Sequence, residues 1–176
     1  ENSQLAEGQP DVARAELAKR GIKLMVDFVP NHVAPDHPWV TDHPEYFVQG
    51  NSEDARRDSA SFIQIGEKVF ARGRDPFFPA WPDVLQLNAF KPGLRQAVIE
   101  TVSNIAGQCD GIRCDMAMLL LSNIFERTWG GRAGAKPTSD YWTTVIPAIR
   151  KKHRAFLFIA EAYWDLEWEL QQQGFD

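Results

Sequence analysis

No apolar run among the 176 residues approaches the roughly 18 needed to cross a bilayer, and no basic, apolar, small-residue order marks a signal peptide. The expected location is therefore cytoplasmic, although the chain starts at Glu1, which leaves any upstream leader unread. Cysteine is scarce as well. Cys109 and Cys114 are too few and too close together for a secreted disulfide framework, and Cys114, inside an expected strand, reads as a small buried apolar residue. An excess of positive charge is also missing. The net charge of −5 argues against a phosphate-binding surface, so nucleic acid is not an expected partner, whereas a neutral substrate is still open. There is no internal duplication and no low-complexity tract.

What the chain does have is three strand-like stretches that end in polar side chains: Asp27-Phe28-Val29-Pro30-Asn31-His32, Gly111-Ile112-Arg113-Cys114-Asp115 and Phe158-Ile159-Ala160-Glu161. Helical patterns separate them. An apolar stripe over residues 11–20 with basic residues at its end predicts a helix stopping at Gly21, followed by a strand over 22–29 buried on both faces. Leu94, Val98, Val102 and Ile105 recur at helical spacing after Pro92. Ser139 is placed to cap a helix running toward Lys152 that Pro147 kinks or delays, and residues 155–161 form the last strand. From Val33 to about Phe90 the chain changes character, with Pro35, Pro38, Pro44, Pro76, Pro79 and Pro82 and many aromatics. That stretch reads as an excursion from the rim of the fold, with a short strand over 61–66.

Alternating strands and helices imply an α/β fold, a partial TIM (β/α)8 barrel, because a complete one takes about 250 residues. In such a barrel the C-terminal ends of the strands converge on one pocket, so Asp115 and Glu161 can be neighbours. Period-two alternation puts Arg113 on the face of Asp115, and Leu157 and Ile159 on the face of Glu161. Arg113 would hold Asp115 ionised, as a nucleophile requires. An apolar setting would let Glu161 keep a proton, as a leaving oxygen requires. Each residue taken singly also has a plainer reading. Asp115 or Asp27 could cap a turn, Glu161 could be a solvated rim acid, Arg113 a packing and ion-pair residue, Asn31 a turn residue and His32 a donor to a carbonyl. His37 and His43 read as surface histidines, and most of Trp39, Tyr46, Phe47, Phe70, Phe77, Phe78 and Trp81 as packing. Tyr163 and Trp164, after the last strand, are the aromatic pocket candidates.

In their order and separation the three motifs resemble conserved regions of the α-amylase superfamily, glycoside hydrolase family 13. Gln86-Leu87-Asn88 with Lys91-Pro92-Gly93-Leu94-Arg95 resembles another segment of that family. The resemblance implies a catalytic nucleophile at Asp115, a general acid/base at Glu161, an arginine beside the nucleophile at Arg113, a sugar-binding histidine at His32 and a stabilising acid at Asp27. It implies residues 1–32 as part of a barrel including its third strand, 33–90 as a B-domain-like excursion, and 91–176 as the barrel continuation with strands four and five. A late Asn-His-Asp region carrying a third acid is not in this chain, so the segment alone is expected to be inactive or poorly folded.

The implied reaction is retaining hydrolysis of an α-glucosidic bond in an α-linked glucoside or oligosaccharide. Transglycosylation or trehalose/maltose isomerisation is the alternative if a sugar hydroxyl replaces water, and a noncatalytic interaction scaffold is the alternative of another class. No cofactor is required for the chemistry; the resemblance adds only a structural calcium ion at Asn31.

Overall fold

A computed structural model describes residues 10–176. The first nine residues of the expected 1–32 barrel portion lie outside the described residues. In chain order, α1 (Pro10–Ala18) leads to β1 (Met25–Phe28) and β2 (His32–Val33). The excursion follows with α2 (Trp39–Asp42), α3 (Ser52–Arg57), a hairpin of β3 (Phe62–Ile65) and β4 (Lys68–Ala71), and β5 (Leu85–Gln86). Then come α4 (Pro92–Ala106), β6 (Gly111–Cys114), α5 (Ser122–Trp129), α6 (Tyr141–Arg150), β7 (Leu157–Ala160) and α7 (Glu167–Gln172).

Strands β1, β6 and β7 form a parallel sheet in that order. Its register pairs Asp27 with Arg113 and Arg113 with Ile159, so side chains from all three strands stand in rows across one face. The opposite face carries Ile112, Cys114 and Phe158, all fully buried in one core cluster with Val98 and Val102 of α4 and Ile146 and Ile149 of α6. Helices therefore cover one side of the sheet. The other, bearing Met25, Asp27, Arg113, Ile159 and Glu161, is more open, with Met25 38% and Ile159 36% exposed.

This corrects the expectation that residues 22–29 form a strand buried on both faces. The strand is shorter, and Met25 and Asp27 are exposed because nothing among the described residues lies over their face. The stop at Gly21 holds. The residue is left-handed at φ 70°, and Ile22 N–H donates back to the Leu17 carbonyl, which closes the helix end. The Ser139 cap does not. Helix α6 starts after Asp140, no side chain caps it, and it runs through Pro147 without interruption. Proline forfeits one rung there, and the buried face of Tyr141, Trp142, Val145, Ile146 and Ile149 outweighs that loss.

The stretch from Val33 to Phe90 is not a loose loop. Phe47 and Phe70 are buried and meet edge to face at 5.3 Å, and Val48, Leu85 and Leu87 join the same core as the sheet. The expected strand over 61–66 is one arm of the β3–β4 hairpin, turned at the left-handed Gly66. The excursion closes where it opens, since β2 pairs antiparallel with β5 through His32 opposite Gln86.

Candidate active site

The ladder of the parallel sheet continues one step beyond β6 and β7. Asp115 N–H donates to the Phe28 carbonyl and Glu161 N–H to the Cys114 carbonyl, both at 2.9 Å. Two carboxylates from adjacent strands are thereby fixed at the same end of the sheet and on the same face. Arg113, two residues before Asp115, reaches both: Nη1 lies 3.2 Å from Asp115 Oδ1 and Nη2 lies 2.9 Å from Glu161 Oε2. Asp27 completes the group more loosely, 3.7 Å from Arg113 and with a side chain 72% exposed. The four residues that the sequence nominated from three separate motifs form one cluster.

Glu161 is the more heavily restrained carboxylate. Besides Arg113, Oε2 accepts the Met116 N–H at 2.8 Å, and Oε1 accepts the Tyr163 hydroxyl at 3.0 Å. Met116 offers that amide because it is left-handed, φ 46°, which turns the chain immediately after Asp115. Its neighbour Ala117 donates to the Glu161 carbonyl, so the turn after β6 is fastened to the end of β7.

These restraints bias the two carboxyls in opposite directions. Burial, followed by the charge of Glu161, pushes the Asp115 carboxyl above its ordinary value, against the pull of His32 and Arg113. Glu161 moves down. Burial raises it, but the Met116 amide, the Tyr163 hydroxyl and Arg113 together outweigh burial and favour its ionised form. The two acids also act on each other, the charge of Glu161 raising Asp115, so they titrate as a pair rather than singly. The sequence expectation has the reverse order, with Arg113 keeping Asp115 ionised and Glu161 protonated. The physical reason for the correction is the donor count: Arg113 sits nearer Glu161, and two further donors converge on Glu161.

His32 stands in β2, beside this cluster. Burial lowers its proton affinity while Asp115 and Asp83 raise it, and burial prevails, so the imidazole is biased toward neutrality. Its ring lies 5.2 Å from Trp81, a residue of the excursion. Tyr163 is half exposed and touches Glu161, whereas Trp164 meets Phe77 edge to face at 4.8 Å. Trp164 and Asp165 are both left-handed, at φ 65° and 59°, so the chain reverses sharply after Tyr163.

Asn31 is buried and engaged elsewhere. Gln86 Nε2 donates to Asn31 Oδ1 at 2.9 Å, and Asn31 Nδ2 lies 3.3 Å from Gln86 Oε1. Its carbonyl oxygen is thus already occupied, and no group of three or more His, Cys, Asp or Glu side chains that could hold a metal ion occurs among the described residues.

Sequence reasoning missed three contributors. The Met116 amide depends on a backbone angle that no side chain announces. Gln86 was noted as part of a motif but not as the partner of Asn31, and Trp81 could not be told from the other aromatics of the excursion.

No protein-family model matches the chain. It is 28% identical over 143 residues to the alpha-1,4-glucan:maltose-1-phosphate maltosyltransferase of Bifidobacterium longum, an alignment that takes in 81% of this chain and 15% of that protein. Among solved structures it resembles an alpha-amylase from Lactobacillus plantarum, with a TM-score of 0.60 and 24% identity over 94% of this chain and 31% of that one. An alpha-amylase from H. orenii is similar at a TM-score of 0.62 and 19% identity, again over 94% of this chain and 34% of that one. The chain therefore spans about a third of the solved chains and a smaller part of the curated relative. These likenesses identify the fold as a portion of an α-amylase-type barrel, in agreement with the resemblance carried by the three motifs.

Proposed function

We propose that this stretch of an α-amylase-type barrel carries the reacting carboxylates of a complete protein that cleaves α-glucosidic bonds with retention. Asp115 is the nucleophile and Glu161 the general acid/base. The observation that carries the reading is a single guanidinium, Arg113, bridging two carboxyls at the ends of adjacent parallel strands.

A retaining mechanism needs one proton shared between two acids: one carboxylate attacks the anomeric carbon, and the other supplies a proton to the departing oxygen. With no sugar between them Asp115 is biased up and Glu161 down, so entry of a sugar must reverse that bias before Glu161 can donate a proton. A sugar ring between the carboxyls weakens their influence on each other, and the leaving oxygen supplies an acceptor for a protonated Glu161. Asp115, still beside Arg113, is then free to ionise and form the glycosyl ester. Glu161, now a carboxylate, accepts a proton from water, and attack at the anomeric carbon returns Asp115 and releases the sugar. His32 stands on the Asp115 side to contact the bound sugar, and Asp27 supports Arg113 from the outer strand.

If a sugar hydroxyl replaces water in the second step, the same intermediate yields transfer. The maltosyltransferase relative favours this second reading, with an α-glucan as the substrate class for either outcome. The test uses the full-length protein. The α-anomer should be the first product, and Asp115→Asn should abolish turnover. A β-anomer, or an active Asp115→Asn variant, would reject the assignment. Product analysis with and without an added oligosaccharide acceptor separates hydrolysis from transfer.

A further inference from the structure

Glu161 offers a leaving group one free edge, and Tyr163 occupies it. The Oε2 side is taken by the Met116 amide at 2.8 Å and by Arg113 Nη2 at 2.9 Å. Both are fixed by the turn and the strand next door, so this side cannot turn toward a substrate without undoing the end of the sheet. Oε1 is the remaining oxygen, and the Tyr163 hydroxyl donates to it at 3.0 Å. We propose that Tyr163 is a positioning residue for the proton chemistry of Glu161: its hydroxyl orients the Oε1 edge while that oxygen is ionised and must release it before Glu161 can donate a proton to a leaving group. This rests on the reading of Glu161 as the acid/base.

The chemistry of a phenol suits the task, because it can donate to a carboxylate and then rotate to accept from the carboxylic acid or to face solvent. Tyr163 is half exposed and free to make that rotation. Its backbone, by contrast, is held. The two left-handed residues Trp164 and Asp165 follow directly, a conformation that residues with a Cβ rarely adopt. The Trp164 ring is seated against Phe77, which in turn carries Arg127 5.2 Å over its face. A residue of the excursion thus fixes where the tyrosine sits.

The groups facing Glu161 are Arg113 and Asp115 from the end of β6, with Asp27 behind Arg113 on β1, His32 beyond Asp115 on β2, and Tyr163 on its own loop. Of these, Tyr163 can be removed without touching another charge. A hydrogen bond to the ionised form lowers proton affinity, so its loss must raise that of Glu161.

The experiment compares Tyr163→Phe with the parent in the full-length protein, following kcat/KM against pH on two substrates. A maltooligosaccharide has a leaving oxygen that needs a proton; α-glucosyl fluoride has a leaving group that needs little help. The alkaline limb for the oligosaccharide should move to higher pH by about half a unit or more, the scale of one hydrogen bond to a charged group. Turnover of the fluoride should change by less than about twofold, since general acid assistance contributes little there. Phe77→Ala, which leaves the phenol in place but removes its support, should move the limb in the same direction by less. An unmoved limb in Tyr163→Phe, or an equal loss on both substrates, overturns the inference. Glu161→Gln in the same assay tests the reading beneath it: full oligosaccharide turnover in that variant rejects Glu161 as the acid, whereas its loss beside an unmoved limb in Tyr163→Phe rejects the role of Tyr163 alone.

Discussion

The two ends of the parallel sheet use acidic residues in opposite ways. At the N-terminal end, Asp110 is fully provided for: the Leu24 N–H donates to Oδ2 at 2.8 Å, and Arg14 donates to Oδ1 through Nε at 2.9 Å and Nη2 at 2.7 Å. The Leu24 amide does most to hold the Asp110 carboxyl below its ordinary pKa, and Arg14 adds to it against the cost of burial. At the C-terminal end Asp27, Asp115 and Glu161 share one guanidinium, and Asp115 is driven up rather than down. An acid at the start of β6 ties α1 and β1 to the sheet. Acids at the ends of β6 and β7 keep a repulsion that their one shared guanidinium only partly offsets.

The largest break in this contrast should come from neutralising the C-terminal pair. Asp115→Asn or Glu161→Gln in the full-length protein is expected to lower kcat on an α-linked oligosaccharide by about a thousandfold or more, read by steady-state turnover. Arg113→Met comes next. It removes the cation from three acids at once, so kcat/KM should fall by about a hundredfold and both limbs of its pH profile should move to higher pH, because proton loss from each carboxyl becomes harder.

The stability effects are smaller and opposite in sign. Asp110→Asn should cost about 1–2 kcal/mol in denaturant unfolding at neutral pH, through a lost ion pair and a weakened amide contact. Because the folded form of Asp110 holds its proton less tightly than the unfolded chain does, its contribution is present above the unfolded pKa and disappears as pH falls through the folded one. Asp115→Asn should instead stabilise the protein, by about 0.5–1 kcal/mol, in the same measurement. The folded pKa of Asp115 is raised, so its destabilising effect is absent below the unfolded pKa and develops as pH rises through the folded one. The gain from Asn should therefore vanish in acid. A pair of carboxamide substitutions with effects of the same sign would erase the distinction between the two ends.

Much of this was legible in the chain. The strands that carry Arg113, Asp115 and Glu161 were readable because apolar runs ending in charge are rare within a core, and alternation placed Arg113 and Asp115 together on one face. The opposite biases of the two acids were not. They depend on an amide turned by the left-handed Met116 and on a hydroxyl delivered by the reversal at Trp164 and Asp165, and neither conformation is written in residue type when no glycine marks it. Helix α5 went unread for a related reason: only eight residues long and without a side-chain cap, it follows a run of leucines that gives no helical period. The exposure of β1 could not be inferred either, since an apolar strand reads alike whether a neighbour lies beside it or not.

The antiparallel pairing of His32–Val33 with Leu85–Gln86, backed by the buried amides of Asn31 and Gln86, has a consequence of its own. It works as a clasp at the root of the long detour through residues 34–84, joining the point where the chain leaves to the point where it returns. Lengthening such a tethered detour raises the entropic cost of closure only logarithmically, about 0.6 kcal/mol for each doubling. Added length is thus best tolerated at exposed positions of the detour, away from Phe47, Val48 and Phe70 in the shared core and from Phe77 against Trp164.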